Sequence, residues 1–96
     1  MDKQGYVYML ANKRKTVLYT GVTSDLLKRV YQHKHKITLG FTSKYNCDSL
    51  VWYEQADEIA SAIEREKQIK AGSRKQKETL INAMNPQWQD LAKDWY

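Results

Sequence analysis

The chain has 96 residues, of which 42% are hydrophobic and 11% aromatic, and this size and composition predict one small globular domain. Its single cysteine, Cys47, excludes an internal disulfide and a zinc-finger spacing, which favours a reducing compartment. No apolar run is long enough for a signal peptide or a membrane span, so we expect a cytoplasmic protein without a membrane partner. The net charge of +5 fits a polyanionic partner, and it fits an ordinary basic surface equally well.

Two β-strands joined by a charged turn are predicted at the start of the chain, over 5–11 and 16–22. Both segments lack helix signals and carry aromatic and β-branched residues, and the polar residues between them favour a hairpin. Every second residue of a strand lies on the same face. Pairing of the two strands can therefore place Tyr8 and Tyr19 on one side of the sheet.

A helix is predicted directly after the second strand, from Asp25 to about His35. Thr23, Ser24 and Asp25 offer side chains that can cap its N-terminus. Apolar residues then recur at helical spacing and form one face: Leu26, Leu27, Val30 and Tyr31. Arg29 and His33 lie one turn apart on the flank of that face. The strand-borne Tyr19 thus points towards a helix-borne arginine and histidine.

The polar stretch over 36–49 is expected to be a loop, and a third strand follows over 50–54. Asp57 is expected to cap a helix that runs to about Ala71 and ends with Gly72 as its C′ residue.

Two more helices are predicted beyond Gly72. Ser73 and Gln76 match a capping box for a helix over about 74–84. Asn85 and Pro86 then resemble the cap and first residue of a short last helix, which carries Trp88, Leu91 and Trp95.

Glu66 lies on the apolar face of the helix that follows Asp57. The stripe that defines this face contains Ile59, Ile63, Glu66 and Lys70. A carboxylate on a buried face costs free energy unless it is paired, hydrogen-bonded or metal-bound. A salt bridge to a basic neighbour and a functional role both remain open for Glu66, whereas Glu64 points to solvent.

Taken together and in order, these residues resemble the GIY-YIG nuclease superfamily. The motif residues are Tyr6-Val-Tyr8, Tyr19-Thr-Gly21, Arg29, His33 and Glu66. The small stand-alone bacterial members are most similar, since they carry stretches like Gly40–Tyr45 and Arg65–Lys70. Tyr6 replaces the first glycine of one tripeptide, and Thr20 replaces the isoleucine of the other.

This resemblance implies an α+β fold in which a three-stranded antiparallel sheet is flanked by helices. The whole chain, 1–96, would form a single domain, with a motif core over about 5–81 and a helical tail over about 82–96. The implied activity is the metal-dependent, endonucleolytic hydrolysis of phosphodiester bonds in DNA. Such cleavage would be structure-directed or weakly sequence-selective, in DNA repair or recombination, and a protein partner could supply the targeting.

The resemblance also implies a role for each motif residue. Glu66 would hold one divalent metal ion, Mg²⁺ or in its place Mn²⁺, which prefers oxygen ligands from water and phosphate. Arg29 would contact the scissile phosphate. Tyr8 or Tyr19 would orient or deprotonate the attacking water, and His33 would assist proton transfer.

Several basic and aromatic residues are further candidates for nucleic-acid contacts: Lys13, Arg14, Lys15, Lys44, Tyr45 and Lys70. Two other functions remain open. One is a nucleic-acid-binding module of the same fold without catalysis, and the other is an interaction subunit that uses Trp88 and Trp95 as an apolar patch.

Overall fold

The structure is a computed structural model that describes residues 4–37 and 40–96. Its elements in chain order are β1 (Gly5–Ala11), β2 (Leu18–Thr23), α1 (Leu26–Lys34), α2 (Phe41–Tyr45), β3 (Ser49–Ala56), α3 (Ile59–Ala71) and α4 (Arg74–Met84). The strands form one antiparallel sheet in the order β2-β1-β3, which confirms the expected α+β fold.

Strand β1 is the centre of the sheet, and its two faces carry separate cores. One core contains Val7, Met9 and Ala11 and is covered by α3 and α4. The other contains Tyr8 and Leu10 and is covered by α1 and the C-terminal segment. This alternation follows from the period of two along a strand that is buried on both sides.

The register of the hairpin confirms that Tyr8 and Tyr19 share a face. Tyr8 pairs with Gly21 and Leu10 pairs with Tyr19, so the two tyrosines are diagonal neighbours. Strand β2 begins two residues later than predicted because the Asn12 side chain accepts hydrogen bonds from the backbone N–H groups of residues 16 and 17. These residues therefore belong to the turn.

Helix α3 packs closely on the sheet because Gly5 has no side chain. A Cβ atom at Gly5 would lie 2.7 Å from Cβ of Ala62 and 2.8 Å from Cδ1 of Ile59. The glycine lets the helix backbone approach β1, and this approach fixes the height of α3 above the sheet.

The ends of α3 differ from the prediction, whereas α4 begins as expected. Glu58 rather than Asp57 is the N-cap residue of α3, and its side chain makes no capping hydrogen bond. Gly72 follows the helix in an extended conformation (φ −80°), so it is not a left-handed C′ residue. The capping box of Ser73 and Gln76 is present in both directions.

The predicted loop over 36–49 was wrong in one respect, since it contains the short helix α2. Gly40 precedes this helix with φ 122°, a conformation that favours glycine, and Asn46 ends it in the left-handed region. Five helical residues are too few to show a hydrophobic period, so the pattern did not indicate them. Residues 38 and 39 of this stretch lie outside the described residues.

The predicted helical tail was also wrong, because residues 85–96 form turns. The backbone N–H of Leu91 donates to the carbonyl of Leu50, and that of Ala92 donates within the segment to the Asp90 carboxylate. Asp90 also accepts from the N–H of Leu50 and forms an ion pair with Lys34. The segment is therefore attached along the start of β3 instead of forming its own helical hydrogen bonds.

Trp88 and Trp95 do not form one apolar patch. Both are half-buried, Trp88 against the core that contains Met9 and Trp95 against the core that contains Tyr8. Strand β3 is also longer than predicted, by one residue at its start and two at its end. Among the described residues, no helix has the length and apolar character needed to cross a membrane.

Candidate active site

Three aromatic rings from three elements meet on the face of the sheet beneath α1. Tyr8 comes from β1, Tyr19 from β2 and His33 from the last turns of α1. The ring centroids of Tyr8 and Tyr19 are 6.2 Å apart, and the His33 ring lies 5.8 Å from the first and 5.6 Å from the second. The fold therefore brings together the tyrosines and the histidine that the sequence predicted.

The His33 ring is held between two hydroxyl groups. Its Nε2 lies 2.9 Å from the Tyr8 hydroxyl, and its Nδ1 lies 2.9 Å from Oγ1 of Thr42. All three side chains are buried. Thr42 belongs to α2 and was not among the predicted site residues, because nothing in a polar stretch without a period singles out one hydroxyl.

Burial, and to a smaller extent the positive charge of Arg29, lower the pKa of His33 from 6.5 to about 4. The imidazole is consequently neutral near pH 7, with a hydrogen on one nitrogen and a free electron pair on the other. This is the form that can accept a proton.

Burial also raises the pKa of the Tyr8 hydroxyl above its usual value, and the neighbouring Tyr19 raises it further. The positive charge of Arg29 acts in the opposite direction and lowers the pKa of that hydroxyl. Tyr8 is thus a neutral phenol in the free protein. Arg29, half-buried on the flank of α1, is the cation that favours the phenolate form.

Gly21 is required by the way the two tyrosines pack. A Cβ atom at this position would lie 2.5 Å from the Tyr8 hydroxyl oxygen and 2.9 Å from Cε2 of Tyr19. Real Cβ atoms do not approach neighbours so closely. The glycine of the second tripeptide is therefore explained by the space that Tyr8 occupies above its partner strand.

Glu66 lies on α3, which covers the face of the sheet opposite the aromatic cluster and packs next to the edge strand β2. Its carboxylate forms an ion pair with Lys70 at 2.7 Å, and the Lys70 ammonium lies 6.0 Å from the centre of the Tyr19 ring. The Glu66 side chain is 14% exposed and that of Lys70 is 51% exposed. The salt bridge that the sequence left open is therefore present, and the lysine that forms it lies near Tyr19.

The buried face of α3 differs slightly from the predicted stripe. Ala62 and Ile69 are the buried residues of this helix, and Glu66 lies between them, four residues after Ala62 and three before Ile69. Ile63 is instead exposed, as is Lys70. Glu64 points to solvent as predicted.

An open cleft lies along the outer edge of β2 next to Tyr19. It is lined by Leu18, Tyr19, Thr20, Phe41, Lys70 and Lys77. The Phe41 ring lies 6.0 Å from that of Tyr19 and 4.7 Å from that of Tyr45, and both α2 rings are exposed. Phe41 was not predicted as a site residue, since its place beside Tyr19 depends on tertiary packing.

The predicted nucleic-acid residues fall into two groups. Lys44 and Tyr45 are exposed on α2 next to Phe41, and the Lys44 ammonium lies 5.4 Å from the Tyr45 ring. Lys13, Arg14 and Lys15 are exposed in the β1–β2 turn, which is bound to the far end of the chain. There, Arg74 donates to the carbonyl of Lys15, and the Lys15 side chain donates to the carbonyl of Gln87.

The sequence of this chain matches a known protein family. A family model described as the GIY-YIG catalytic domain matches residues 4–79 of this chain. The chain belongs to the GIY-YIG family.

Two proteins that are similar to this chain over most of their length support its membership of the GIY-YIG family. A UPF0213 protein of Syntrophus aciditrophicus (strain SB) is 38% identical over 85 residues, which are 88% of this chain and 95% of that protein. A UPF0213 protein of Staphylococcus saprophyticus is 35% identical over 82 residues, or 85% and 98% of the two chains.

A solved structure resembles the GIY-YIG chain over almost its whole length. It is the solution NMR structure of a UPF0213 protein from Bacillus halodurans, with a TM-score of 0.58 and 25% sequence identity. The match covers 95% of this chain and 97% of that one. The resemblance to small members of the GIY-YIG nucleases is therefore confirmed, together with the fold that it implied.

The donor set of the GIY-YIG cluster suits one kind of metal ion. Among residues 4–37 and 40–96, no three His, Cys, Asp or Glu side chains form a group that could enclose a metal ion. A single carboxylate such as Glu66 fits Mg²⁺, which keeps several waters and takes further oxygen ligands from substrate phosphates. The exposed Lys70 can leave this carboxylate without disturbing the core.

Proposed function

We propose that this GIY-YIG protein is a metal-dependent endonuclease that hydrolyses phosphodiester bonds in DNA. The observation that supports it best is the Tyr8–His33 hydrogen bond, in which a buried neutral imidazole contacts a phenol beside Arg29. Such a pair can accept a proton from a reacting group, which hydrolysis of a phosphodiester by water requires.

Tyr19 is the tyrosine that would meet the substrate. It is half-buried and lines the cleft, whereas Tyr8 is fully buried behind it. We therefore assign Tyr19 to the orientation of the attacking water. The proton of that water passes to the Tyr19 oxygen as the Tyr19 proton moves to Tyr8, and the Tyr8 proton moves to Nε2 of His33.

The positive groups would stabilise the charge that develops on phosphate. Arg29 presents forked donors that match phosphate oxygens. Glu66 would hold the divalent ion, which when bound supplies charge stabilisation at the scissile phosphate and the leaving oxygen. Lys70, which also lines the cleft near Tyr19, would contact phosphate once the metal ion has displaced it from Glu66.

The cleft predicts how DNA would be held. Lys44, Lys70 and Lys77 supply charge for backbone phosphates, and the exposed rings of Phe41 and Tyr45 supply surfaces for stacking. Phosphate and stacking contacts carry little sequence information. We therefore infer weakly selective or structure-directed cleavage, of the kind used in DNA repair or recombination. The 13–15 turn would be a further backbone contact, and a partner protein would supply the targeting.

Nicking of supercoiled plasmid tests the proposal. The wild type is compared with Glu66→Ala and with Glu64→Ala, a matched control on the solvent side of α3. We expect cleavage with Mg²⁺ or Mn²⁺ by the wild type and the control, and none by Glu66→Ala. Equal cleavage by all three proteins would refute the assignment of Glu66.

A binding module without catalysis is the second candidate, and one observation favours it. The Lys70 ammonium is paired with the Glu66 carboxylate, with Nζ 2.7 Å from Oε2, so a metal ion has to displace the lysine before it binds Glu66. Salt-sensitive DNA binding by the wild type without cleavage in either metal would support this alternative.

A further inference from the structure

Thr42 lies at the end of a buried row of hydrogen bonds that starts at Tyr8. Its Oγ1 is 2.9 Å from Nδ1 of His33, and the other ring nitrogen is 2.9 Å from the Tyr8 hydroxyl. Thr42 is 5% exposed and His33 is 3% exposed, so water does not compete for these bonds. Thr42 lies within the Gly40–Tyr45 stretch that resembles the small family members, but the resemblance assigns it no role.

Helix α2 holds Thr42 in a defined place. The backbone N–H of the fully buried Cys47 donates to the carbonyl of Thr42 at 2.9 Å, which ties the helix to the core beneath it. At the other side, the Phe41 ring packs 6.0 Å from that of Tyr19. Because both flanks of Thr42 are attached, its hydroxyl reaches the His33 ring without freedom to turn away.

We propose that Thr42 is a positioning residue that keeps the hydrogen of His33 on Nδ1 and leaves Nε2 free to accept the Tyr8 proton. The proposal rests on the proposed function, in which His33 is the final proton acceptor. When His33 receives that proton, both ring nitrogens carry hydrogen, and Thr42 Oγ1 then accepts from Nδ1 of the charged ring. A hydroxyl thus takes the place that a carboxylate or carbonyl holds behind many functional histidines.

The direction of the hydrogen bonds follows from Arg29. The positively charged guanidinium acts on the Tyr8 hydroxyl and carries donors only, so the phenol turns its oxygen lone pairs and not its hydrogen towards it. The Tyr8 hydrogen is therefore free to point to Nε2, and a neutral imidazole must then carry its own hydrogen on Nδ1, facing Thr42. The groups around this ring are Tyr8 from β1, Tyr19 from β2, Arg29 from α1 and the uncharged Thr42 from α2.

The decisive experiment reads the tautomer of His33 directly. Nitrogen-15 NMR of the free, full-length protein at pH 7 is recorded for the wild type and for Thr42→Val, Thr42→Ser and Ser43→Ala. Valine keeps the shape without the hydroxyl, serine keeps the hydroxyl, and Ser43 is the neighbouring hydroxyl that does not contact the ring. We expect the Nδ1–H form in the wild type, Thr42→Ser and Ser43→Ala, and a mixed or Nε2–H form in Thr42→Val.

Cleavage kinetics give an independent measure on the same proteins. We expect kcat of Thr42→Val to fall about ten- to a hundredfold, as for other partners that orient a histidine, with KM little changed. The acid limb of its pH–rate profile should move, and Thr42→Ser should restore both quantities. A general loss of structure would lower activity without this rescue and is measured by thermal unfolding.

An unchanged Nδ1–H tautomer in Thr42→Val would overturn the inference, and so would a wild-type Nε2–H tautomer. The NMR result does not need DNA or metal. If no variant cleaves DNA, the nuclease proposal fails, whereas the tautomer still decides whether Thr42 orients the ring. If Thr42→Val does not fold, an altered tautomer in Thr42→Ala supports the inference and an unaltered one overturns it.

Discussion

Gly21→Ala is predicted to damage the site by steric pressure alone. The new methyl group would lie 2.5 Å from the Tyr8 oxygen and 2.6 Å from its Cζ atom. Ordinary contacts between such atoms begin near 3.5 Å, so the Tyr8 ring has to move by about 1 Å. A displacement of this size from the 2.9 Å hydrogen bond to His33 exceeds the range in which that bond is effective.

The expected cost has two parts. Overpacking of a well-filled core costs about 1–3 kcal/mol, and a buried polar group left without a partner costs about 1–3 kcal/mol. Together they lower the free energy of unfolding by about 2–6 kcal/mol, a large share of the total for a domain of this size. Cleavage of DNA should fall by at least tenfold, because the proton acceptor is no longer bound to Tyr8.

Denaturant unfolding and plasmid nicking measure these effects. Gly72→Ala is the matched control, since its methyl group would meet the end of the flexible Gln76 side chain at 2.6 Å and the carbonyl oxygen of Ile69 at 3.3 Å, and neither tyrosine. We expect this variant to lie within about 1 kcal/mol of the wild type and to keep its activity. A Gly21→Ala protein with wild-type stability and cleavage would refute the packing argument.

Three further predictions follow from charge and burial. Because the pKa of His33 is about 4 in the folded protein and 6.5 in the unfolded one, the unfolded chain binds the proton first as the pH falls. The wild type should therefore lose about 3 kcal/mol more than His33→Gln between pH 6.5 and 4, and parallel stability curves for the two proteins in urea would contradict this. Lys44→Gln and Lys13→Gln should each reduce the slope of the log binding constant against log salt by about 1, since both are proposed backbone contacts; a slope identical to that of the wild type would exclude the lysine concerned as a contact. Removal of divalent metal by a chelator should abolish cleavage without lowering the Tm, because Glu66 is then paired with Lys70. A lower Tm in calorimetry would show that the fold itself needs the metal.

Periodicity predicted the elements that carry most of the site. Tyr8 and Tyr19 lie on one face because each strand alternates, and Arg29 and His33 lie on the correct side of α1 because its apolar residues repeat at helical spacing. The position of Glu66 on α3, beside buried Ala62, follows from the same spacing. These are local properties, which sequence patterns describe well.

The remaining parts of the site depend on contacts between distant segments. Thr42 meets His33 only because α2 is tied to Cys47 and turned by Gly40, and a five-residue helix has no period to detect. The cap-like pair Asn85 and Pro86 predicted a helix that does not form. The side chain of Asn85 instead donates to the carbonyls of Val51 and Gln89, so tertiary hydrogen bonds replaced the local ones.

The C-terminal segment also determines how the sheet meets other molecules. An open strand edge is a template on which a second chain can add, and this is a common route to aggregation. Here the N–H of Leu91 donates to the carbonyl of Leu50 at the start of β3, and the Asp90 carboxylate accepts from the N–H of Leu50. A sheet of three strands has two edges, and the turns after α4 shield part of one, while the other borders the cleft beside Tyr19. Because residues 85–96 shield part of the β3 edge, the β2 edge beside Tyr19 is the one more open to other molecules.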